Sequence, residues 1–318
     1  MKKVVVSLYN LFAGISPRCE VWLRKLYWLH SEKFKKYRPN TTKKVNTYQK
    51  RHHVDFNDII NYLKNQGIGD GTLLIVHSSY DVLECTGLTP EQIIEELLKL
   101  VGPSGTLAMP AIRHYKGEPK YDEILTTNTD ELVCKYNPRK TMVSSGMLPY
   151  VMVKREDSEV SLHPLNPMVA IGPLAKPMME HNLDGEAPSP HGPGSSWKFC
   201  YDHHAIIVGI GVDLYHYNTI CHINEEAFGN WKWSDDEWYR LRKFDIINDD
   251  KCMRKVVKER KPEWGMIRLA ELNARREYEK RNMIKFETID GIIVGIEDSH
   301  YVIDIMRDLR RLGKSFYI

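Results

Sequence analysis

The 318-residue chain has no Cys-x-x-Cys spacing, no internal repeat and no low-complexity tract. It also has no apolar run near the roughly 20 residues that a membrane-spanning helix needs. Each absence removes a class of protein. The six cysteines, Cys19, Cys85, Cys134, Cys200, Cys221 and Cys252, are scattered, which excludes a disulfide framework and a cysteine-rich zinc site and suits a reducing compartment. No signal-peptide cleavage pattern is present, so a cytoplasmic chain without a membrane span is expected. No nucleic-acid-binding motif accompanies the basic residues.

What is present is an ordinary globular composition, 42% apolar, sufficient for a core without staples. The formal net charge of +3 is unevenly placed. Residues 1–53 carry 13 Lys/Arg against Glu20 and Glu32, a balance of +11, and the remainder carries 32 basic against 40 acidic residues, a balance of −8. Residues 11–36 interleave Leu11, Phe12, Trp22, Leu26 and Trp28 with Arg18, Arg24, Lys25 and Lys33, the pattern of a basic amphipathic helix or helix pair. Such a segment suits peripheral contact with the inner face of a membrane, a partner protein, or the protein's own body. The expected organisation is therefore an extension and linker over 1–54 and a main domain over 55–318.

From Asp55 onward helix and strand signals alternate, which indicates a layered α/β domain. Asp55 and Asn57 cap a helix reaching about Asn65, and Thr72 to Val76 reads as a buried strand that ends at His77-Ser78-Ser79. Thr89-Pro90-Glu91 opens a second helix, closed at Gly102, and Thr106 to Met109 is the next strand. Residues 110–145 read as a long polar loop. Further strands are expected at 168–171, 205–210, 284–289 and 291–296, with a final helix over 299–312.

Three short constellations fall where strands give way to turns: His77-Ser78-Ser79, His163-Pro164, and Asn218-Thr219 through His222 to Glu225-Glu226. Strand ends are where α/β proteins place their sites. Residues 222–226 are expected to be helical, which puts His222 and Glu225 on one face and turns Glu226 away toward solvent. Hydroxyls and N–H groups at turns such as Ser78, Ser79, Ser145 and Gly146 suit an oxyanion or a phosphate.

Taken in order, these motifs resemble the aminoglycoside 3-N-acetyltransferase family over roughly residues 55–310. The resemblance is carried by Val76-His77-Ser78-Ser79, Val101-Gly102-Pro103-Ser104-Gly105-Thr106-Leu107, Ser145-Gly146, Ser161-Leu162-His163-Pro164, Gly192-Pro193-Gly194-Ser195, Gly209-Ile210-Gly211 and Asn218-Thr219 with His222 and Glu225. It implies a three-layer α/β/α sandwich with a mixed sheet, unlike GNAT-type acetyltransferases, and direct acetyl transfer from acetyl-CoA to an amine of an aminoglycoside or other amino sugar, with no metal. It places the general base on His163 and its carboxylate partner on Glu225. Acetyl-CoA is expected against His77, Ser78, Ser79, Ser145 and Gly146, and the acceptor against Asn218, Thr219 and His222. Arg113 and Lys116 are within sequence range of the coenzyme's phosphates. A histidine base suits the step, since a protonated amine cannot attack a thioester.

Three departures concern the acceptor. Val160 stands where antibiotic-modifying members usually carry Arg, Ala111-Ile112-Arg113 replaces Thr-Phe-Thr, and Ser196 replaces Pro. They leave room for another acceptor, such as an amino sugar on a nucleotide. Three other readings compete. A metal hydrolase would use His203, His204, His216, His222 and Glu225. A covalent mechanism would use Cys221 as nucleophile. The third is an inactive module that binds a membrane or partner through its basic arm.

Overall fold

The computed structural model describes residues 16–30, 53–119, 123–124, 127–265 and 268–313. Helix α1 (Pro17–Leu29) precedes the main body, which begins with α2 (Phe56–Asn65). Asp55 caps α2 by accepting from Asn57 N at 2.9 Å, and Phe56, Ile59, Ile60 and Leu63 form its buried stripe. Strand β1 (Leu73–Ser78) follows, then α3 (Pro90–Val101), whose Thr89–Gln92 capping box and leading proline fix its start. Next come β2 (Thr106–Pro110), β3 (Val133–Tyr136), α4 (Met147–Lys154), β4 (Glu159–Val160) and β5 (Met168–Ile171). After α5 (Ser196–Asp202) and β6 (Ile206–Ile210) lie two long strands, β7 (Tyr239–Asn248) and β8 (Lys251–Arg260). The chain closes with α6 (Arg268–Arg281), β9 (Ile284–Ile289), β10 (Ile292–Asp298) and α7 (Ser299–Arg311).

Seven strands form one mixed sheet in the order β4-β5-β2-β1-β6-β10-β9, with β2, β1 and β6 parallel and the outer strands antiparallel. Strand alternation divides the core. Leu74 and Val76 face a cluster with α2, α3 and α4, while Leu73 and Ile75 face one with Trp197, Val302, Ile303 and Met306. Both sheet faces are thus covered, the three-layer arrangement expected from the sequence.

The region from 110 to 145 is not all loop. It holds β3, which joins β7 and β8 in a second, three-stranded sheet. Arg242 is buried in that sheet between Glu118 and Glu259, each at 3.0 Å. The segment 230–265 also carries an aromatic cluster of Trp231, Trp233, Trp238 and Trp264, into which α1 inserts Val21. Arg18–Glu237 at 3.3 Å and Lys25–Glu263 at 2.9 Å tether α1 there. Within the basic extension, residues 17–29 therefore dock on the protein's own body; residues 1–15 and 31–52 lie outside the described residues. No helix among the described residues is long and apolar enough to cross a membrane.

Candidate functional site

Strand β1 runs on to β2 on one side and has β6 on its other side, so the carboxyl ends of β1 and β6 flank a switch in chain direction, where open α/β sheets form crevices. A cavity of about 880 Å³ opens there. It is lined by His77, Ser78 and Ser79 after β1, by Pro110 and Ile112 after β2, by residues 142–147, and by Val212, Tyr217 and Thr219 after β6. The structure thus brings together the five residues expected to hold the coenzyme, with Thr219. Gly211 has φ +70°, and a Cβ there would meet Val82 at 2.7 Å, so glycine alone lets the chain leave β6 this close to the turn after β1.

The polar groups of the cavity differ in availability. Ser145 Oγ donates to Pro110 O at 2.7 Å and accepts from Ile112 N at 3.1 Å, so it ties the cavity wall to β2. The Ser79 N–H donates to Ile210 O at 3.1 Å and is not open to an oxyanion. By contrast, Gly146 precedes α4 with no side-chain cap, so the N–H groups of Met147 and Leu148, ahead of Pro149, have no capping side chain, and Gly146, Met147 and Pro149 line the cavity. Met142, Met147 and Tyr150 add exposed apolar surface at the rim. Uncapped N–H groups beside small residues and an apolar rim fit a phosphate joined to a long pantetheine arm. Burial lowers the pKa of His77 to about 4, so it lines the cavity as a neutral ring. Arg113 does not reach the cavity: its guanidinium is buried and donates to Thr141 O and Pro138 O, both at 2.8 Å.

His163 is not among the lining residues. It is buried, with Nδ1 2.9 Å from Leu165 O and Nε2 3.3 Å from Pro188 O. Its backbone is pinned as well: Tyr136 Oη donates to Ser161 O and Tyr115 Oη to Pro164 O, each at 2.5 Å. These bonds lash the second sheet to the turn between β4 and β5. Burial lowers the pKa of His163 to about 4, against weaker opposing effects from the two carbonyls. No hydrogen bond links His163 to Glu225 among the described residues.

Glu225 is instead the partner of His222. The chain turns through a 3₁₀ segment (Thr219–His222) into a helical turn (Ile223–Glu226), and this i, i+3 spacing sets His222 Nδ1 3.0 Å from Glu225 Oε2. Burial raises the Glu225 pKa to about 8, with Arg260 opposing. Burial, then Arg260 and His191, hold His222 well below its ordinary value. Both shifts favour the uncharged pair. Arg260 Nη1 lies 2.9 Å from His222 Nδ1 and 3.2 Å from Nε2.

Glu226 was expected to be solvated and is not. Only 2% of its side chain is exposed, and it lies 3.5 Å from His191, whose ring centroid is 5.2 Å from that of His222. Burial alone would raise Glu226, but His191 and Arg260 outweigh it and leave its pKa lowered. His191 was missed in the sequence although it immediately precedes the Gly192-Pro193-Gly194-Ser195 motif, whose position beside it was the available signal. Asn218 is likewise committed internally: its Nδ2 donates to Tyr278 Oη at 2.8 Å and to Glu297 Oε2 at 2.6 Å. These bonds anchor the turn through Nδ2, while Oδ1 is buried with no hydrogen-bond partner. Thr219 lines the cavity, whereas His222, like His163, is not among the residues that line it.

The competing chemistries lose their geometry. His203 stacks on Phe199 and His204 on His300, away from His222, and no group of three metal-ligating side chains converges among the described residues. Cys221 donates to Asn218 O at 2.9 Å, and burial pushes its thiol well up, which disfavours a thiolate.

A mixed α/β/α sheet with a crevice at its parallel strand ends and a buried His–Glu pair beside it describes a class of enzymes. The sequence profile of the aminoglycoside 3-N-acetyltransferases matches residues 75–290, and the chain belongs to that family of acyltransferases. Over 170 residues it is 30% identical to aminoglycoside N(3)-acetyltransferase IV of Salmonella sp., covering 53% of this chain and 57% of the length of that curated relative. The fold is similar to that of a histidine-to-alanine mutant of AAC(3)-IVa in complex with apramycin, with a TM-score of 0.61, 21% identity, and coverage of 83% of this chain and 93% of that one. It is also similar to AAC-IIIb in a binary complex with CoASH, with a TM-score of 0.58, 15% identity, and coverage of 82% and 97%.

Proposed function

We propose that the protein transfers the acetyl group of acetyl-CoA to an amine of an amino-sugar acceptor, with His222 as general base and Glu225 as the carboxylate that orients it. The observation that carries this reading is the 3.0 Å contact between His222 Nδ1 and Glu225 Oε2, one turn after Thr219 of the cavity wall. We place the base at His222 rather than at His163 because Glu225 Oε2 lies 3.0 Å from His222 Nδ1, whereas the His163 ring nitrogens meet only the backbone of Leu165 and Pro188 at hydrogen-bond distance. His163 becomes the knot between the two sheets.

The cavity at the ends of β1 and β6 suits the coenzyme, with the uncapped start of α4 at Gly146 and Met147 as the place for its phosphates and Met142, Met147 and Tyr150 for its apolar arm. The acceptor amine attacks the thioester carbonyl carbon. A C–N bond forms, the C–S bond breaks, the amine proton passes to His222 Nε2, and the coenzyme leaves as a thiolate that takes up a proton. Glu225, once ionised, accepts from Nδ1–H and leaves Nε2, which Arg260 Nη1 approaches to 3.2 Å, as the nitrogen that takes the proton; it then stabilises the imidazolium as it forms. The pair must lose its shared proton, held up to about pH 8, before Nε2 can accept the amine's.

The test is coenzyme A release from acetyl-CoA with a panel of aminoglycosides and amino sugars, comparing wild type, His222→Ala and His163→Ala. Turnover of one amine, lost in His222→Ala and retained per folded molecule in His163→Ala, supports the reading. Loss only in His163→Ala returns the base to His163, and failure to bind acetyl-CoA removes the acetyltransferase reading.

A further inference from the structure

His77 is the one histidine that lines the cavity among the described residues. It stands next to last in β1, on the sheet face shared by Leu73 and Ile75, and that face also carries Leu214, Ile220 and Ile223. The turn that bears His222 and Glu225 therefore lies on the same side of the sheet as the His77 ring. Across the ladder His77 pairs with Gly209 of β6, and a Cβ there would meet Leu214 at 2.6 Å, so a leucine stands where a strand partner's side chain would be. His77 is 8% exposed, yet its ring makes no hydrogen bond to any described residue, and neither ring nitrogen is sealed from the open space. Polar groups this buried are nearly always paired in folded proteins, so the partner has to come from whatever fills the cavity.

The rest of the lining narrows what that partner is. No lysine or arginine among the described residues lines the cavity, and Asp81 and Glu84 add only negative charge. Charge that develops on an oxygen here has to be met by neutral donors. Several are already committed: the Ser79 N–H to Ile210 O, Ser145 Oγ to Pro110 O, Ser144 Oγ to Ile112 O at 3.1 Å, Tyr80 Oη to Leu88 O at 3.1 Å and Thr219 Oγ1 to Tyr217 O at 3.5 Å. His77 and the hydroxyls of Ser78 and Ser79 remain, and His77 is the most buried of the three, where a hydrogen bond is strongest. We propose that His77 is a catalytic residue that donates its ring N–H to the thioester carbonyl oxygen of acetyl-CoA. This rests on the acetyltransferase reading above and names the group on its electrophilic side. As the acceptor amine forms the C–N bond, the carbonyl π pair moves onto oxygen, and the hydrogen bond from His77 stabilises that charge. The pair returns to the carbonyl when the C–S bond breaks, and His77, neutral throughout, keeps its proton.

The experiment is isotope-edited infrared spectroscopy of acetyl-CoA labelled with carbon-13 at the carbonyl, bound without an acceptor to wild type, His77→Phe and His77→Gln. Phenylalanine keeps a ring in the same space and removes both nitrogens, glutamine keeps an N–H donor, and His77→Ala repeats the test if the phenyl ring does not fit. Binding of coenzyme A, which has no acetyl group, is expected to stay within about threefold of wild type and shows that each variant is folded. The carbonyl band of the bound thioester should lie at lower frequency in wild type than in His77→Phe, with His77→Gln between them. On any amine that turns over, kcat should fall by about 10²-fold in His77→Phe and be partly restored in His77→Gln. One carbonyl band position in all three proteins overturns the proposal, as does an unchanged kcat in a folded His77→Phe, and either result leaves the acetyltransferase reading in place. Wild type that does not bind acetyl-CoA removes that reading and the role of His77 with it.

Discussion

Glu297 of β10 offers a test of the buried scaffold under the site that needs no substrate. Its Oε2 accepts from Asn218 Nδ2 at 2.6 Å, while Oε1 is buried with no hydrogen-bond partner. Burial raises its pKa from 4.5 to about 8, against a smaller lowering by Asn218. The folded protein therefore retains a proton on Glu297 that the unfolded chain releases above about pH 4.5. Stability from this group is fully present below the unfolded value and is lost as pH rises toward 8. At roughly 1.4 kcal/mol per pH unit across that interval, the ceiling is about 5 kcal/mol, and relaxation around a buried charge reduces it to ~2–3 kcal/mol. Glu297→Gln keeps the shape and an oxygen for Asn218 but cannot ionise. The melting temperature of the variant relative to wild type should then rise by about 4–10 °C between about pH 5 and pH 8.5. Differential scanning fluorimetry of the two proteins side by side measures this, because every other titrating group is common to both. A difference in melting temperature that stays constant across that range would falsify the reasoning.

Other expectations concern the site and its supports. His222→Ala should lower kcat by roughly 10²–10⁴-fold with coenzyme A binding intact, as measured by steady-state kinetics and calorimetry. In wild type, the His222–Glu225 pair retains its extra proton up to about pH 8, so kcat/KM should climb toward a plateau above that value; if Glu225→Gln leaves the alkaline limb in place, Glu225 does not set it. His163→Ala should lower the melting temperature by several degrees, roughly the effect of losing 1–3 kcal/mol of buried hydrogen bonds, with less than about tenfold loss of activity per folded molecule. Val21→Asp should free α1 from Trp233, Trp238 and Trp264, seen as a red shift of tryptophan emission; unchanged emission and melting would show that α1 adds nothing to the cluster.

The main sheet was legible because its strands are short apolar runs bounded by clear punctuation. Met168 to Ile171 and Ile284 to Ile289 coincide with the observed strands, and the Thr89–Gln92 box sits where the proline placed it. The second sheet was not. Along β7, Arg240, Arg242 and Lys243 interrupt Leu241, Phe244 and Ile246, and nothing local states that Arg242 is paired inside with two glutamates. The site divides the same way. The turn residues His77, Ser78, Ser79, Ser145 and Gly146 converge because strand ends converge by topology. The choice between His163 and His222 depends on what lies across the space from each ring, and Leu165 O and Pro188 O carry no side-chain signature. The i, i+3 pairing of His222 with Glu225 was visible as helix geometry; that Glu226 turns inward to His191 was not, since His191 is 35 positions away in the chain.

Arg260 reaches His222 from a sheet that shares no strand with the one supporting the cavity. The strand ends that line the cavity and the strand that carries Arg260 to His222 thus belong to separate sheets. The ten-residue antiparallel ladder of β7 and β8 acts as a register-sensitive lever, because a one-residue slip in β8 would turn Arg260 to the opposite face and leave the main sheet untouched. The surroundings of His222 can therefore diverge through the length of a hairpin while the strand ends that form the cavity stay fixed.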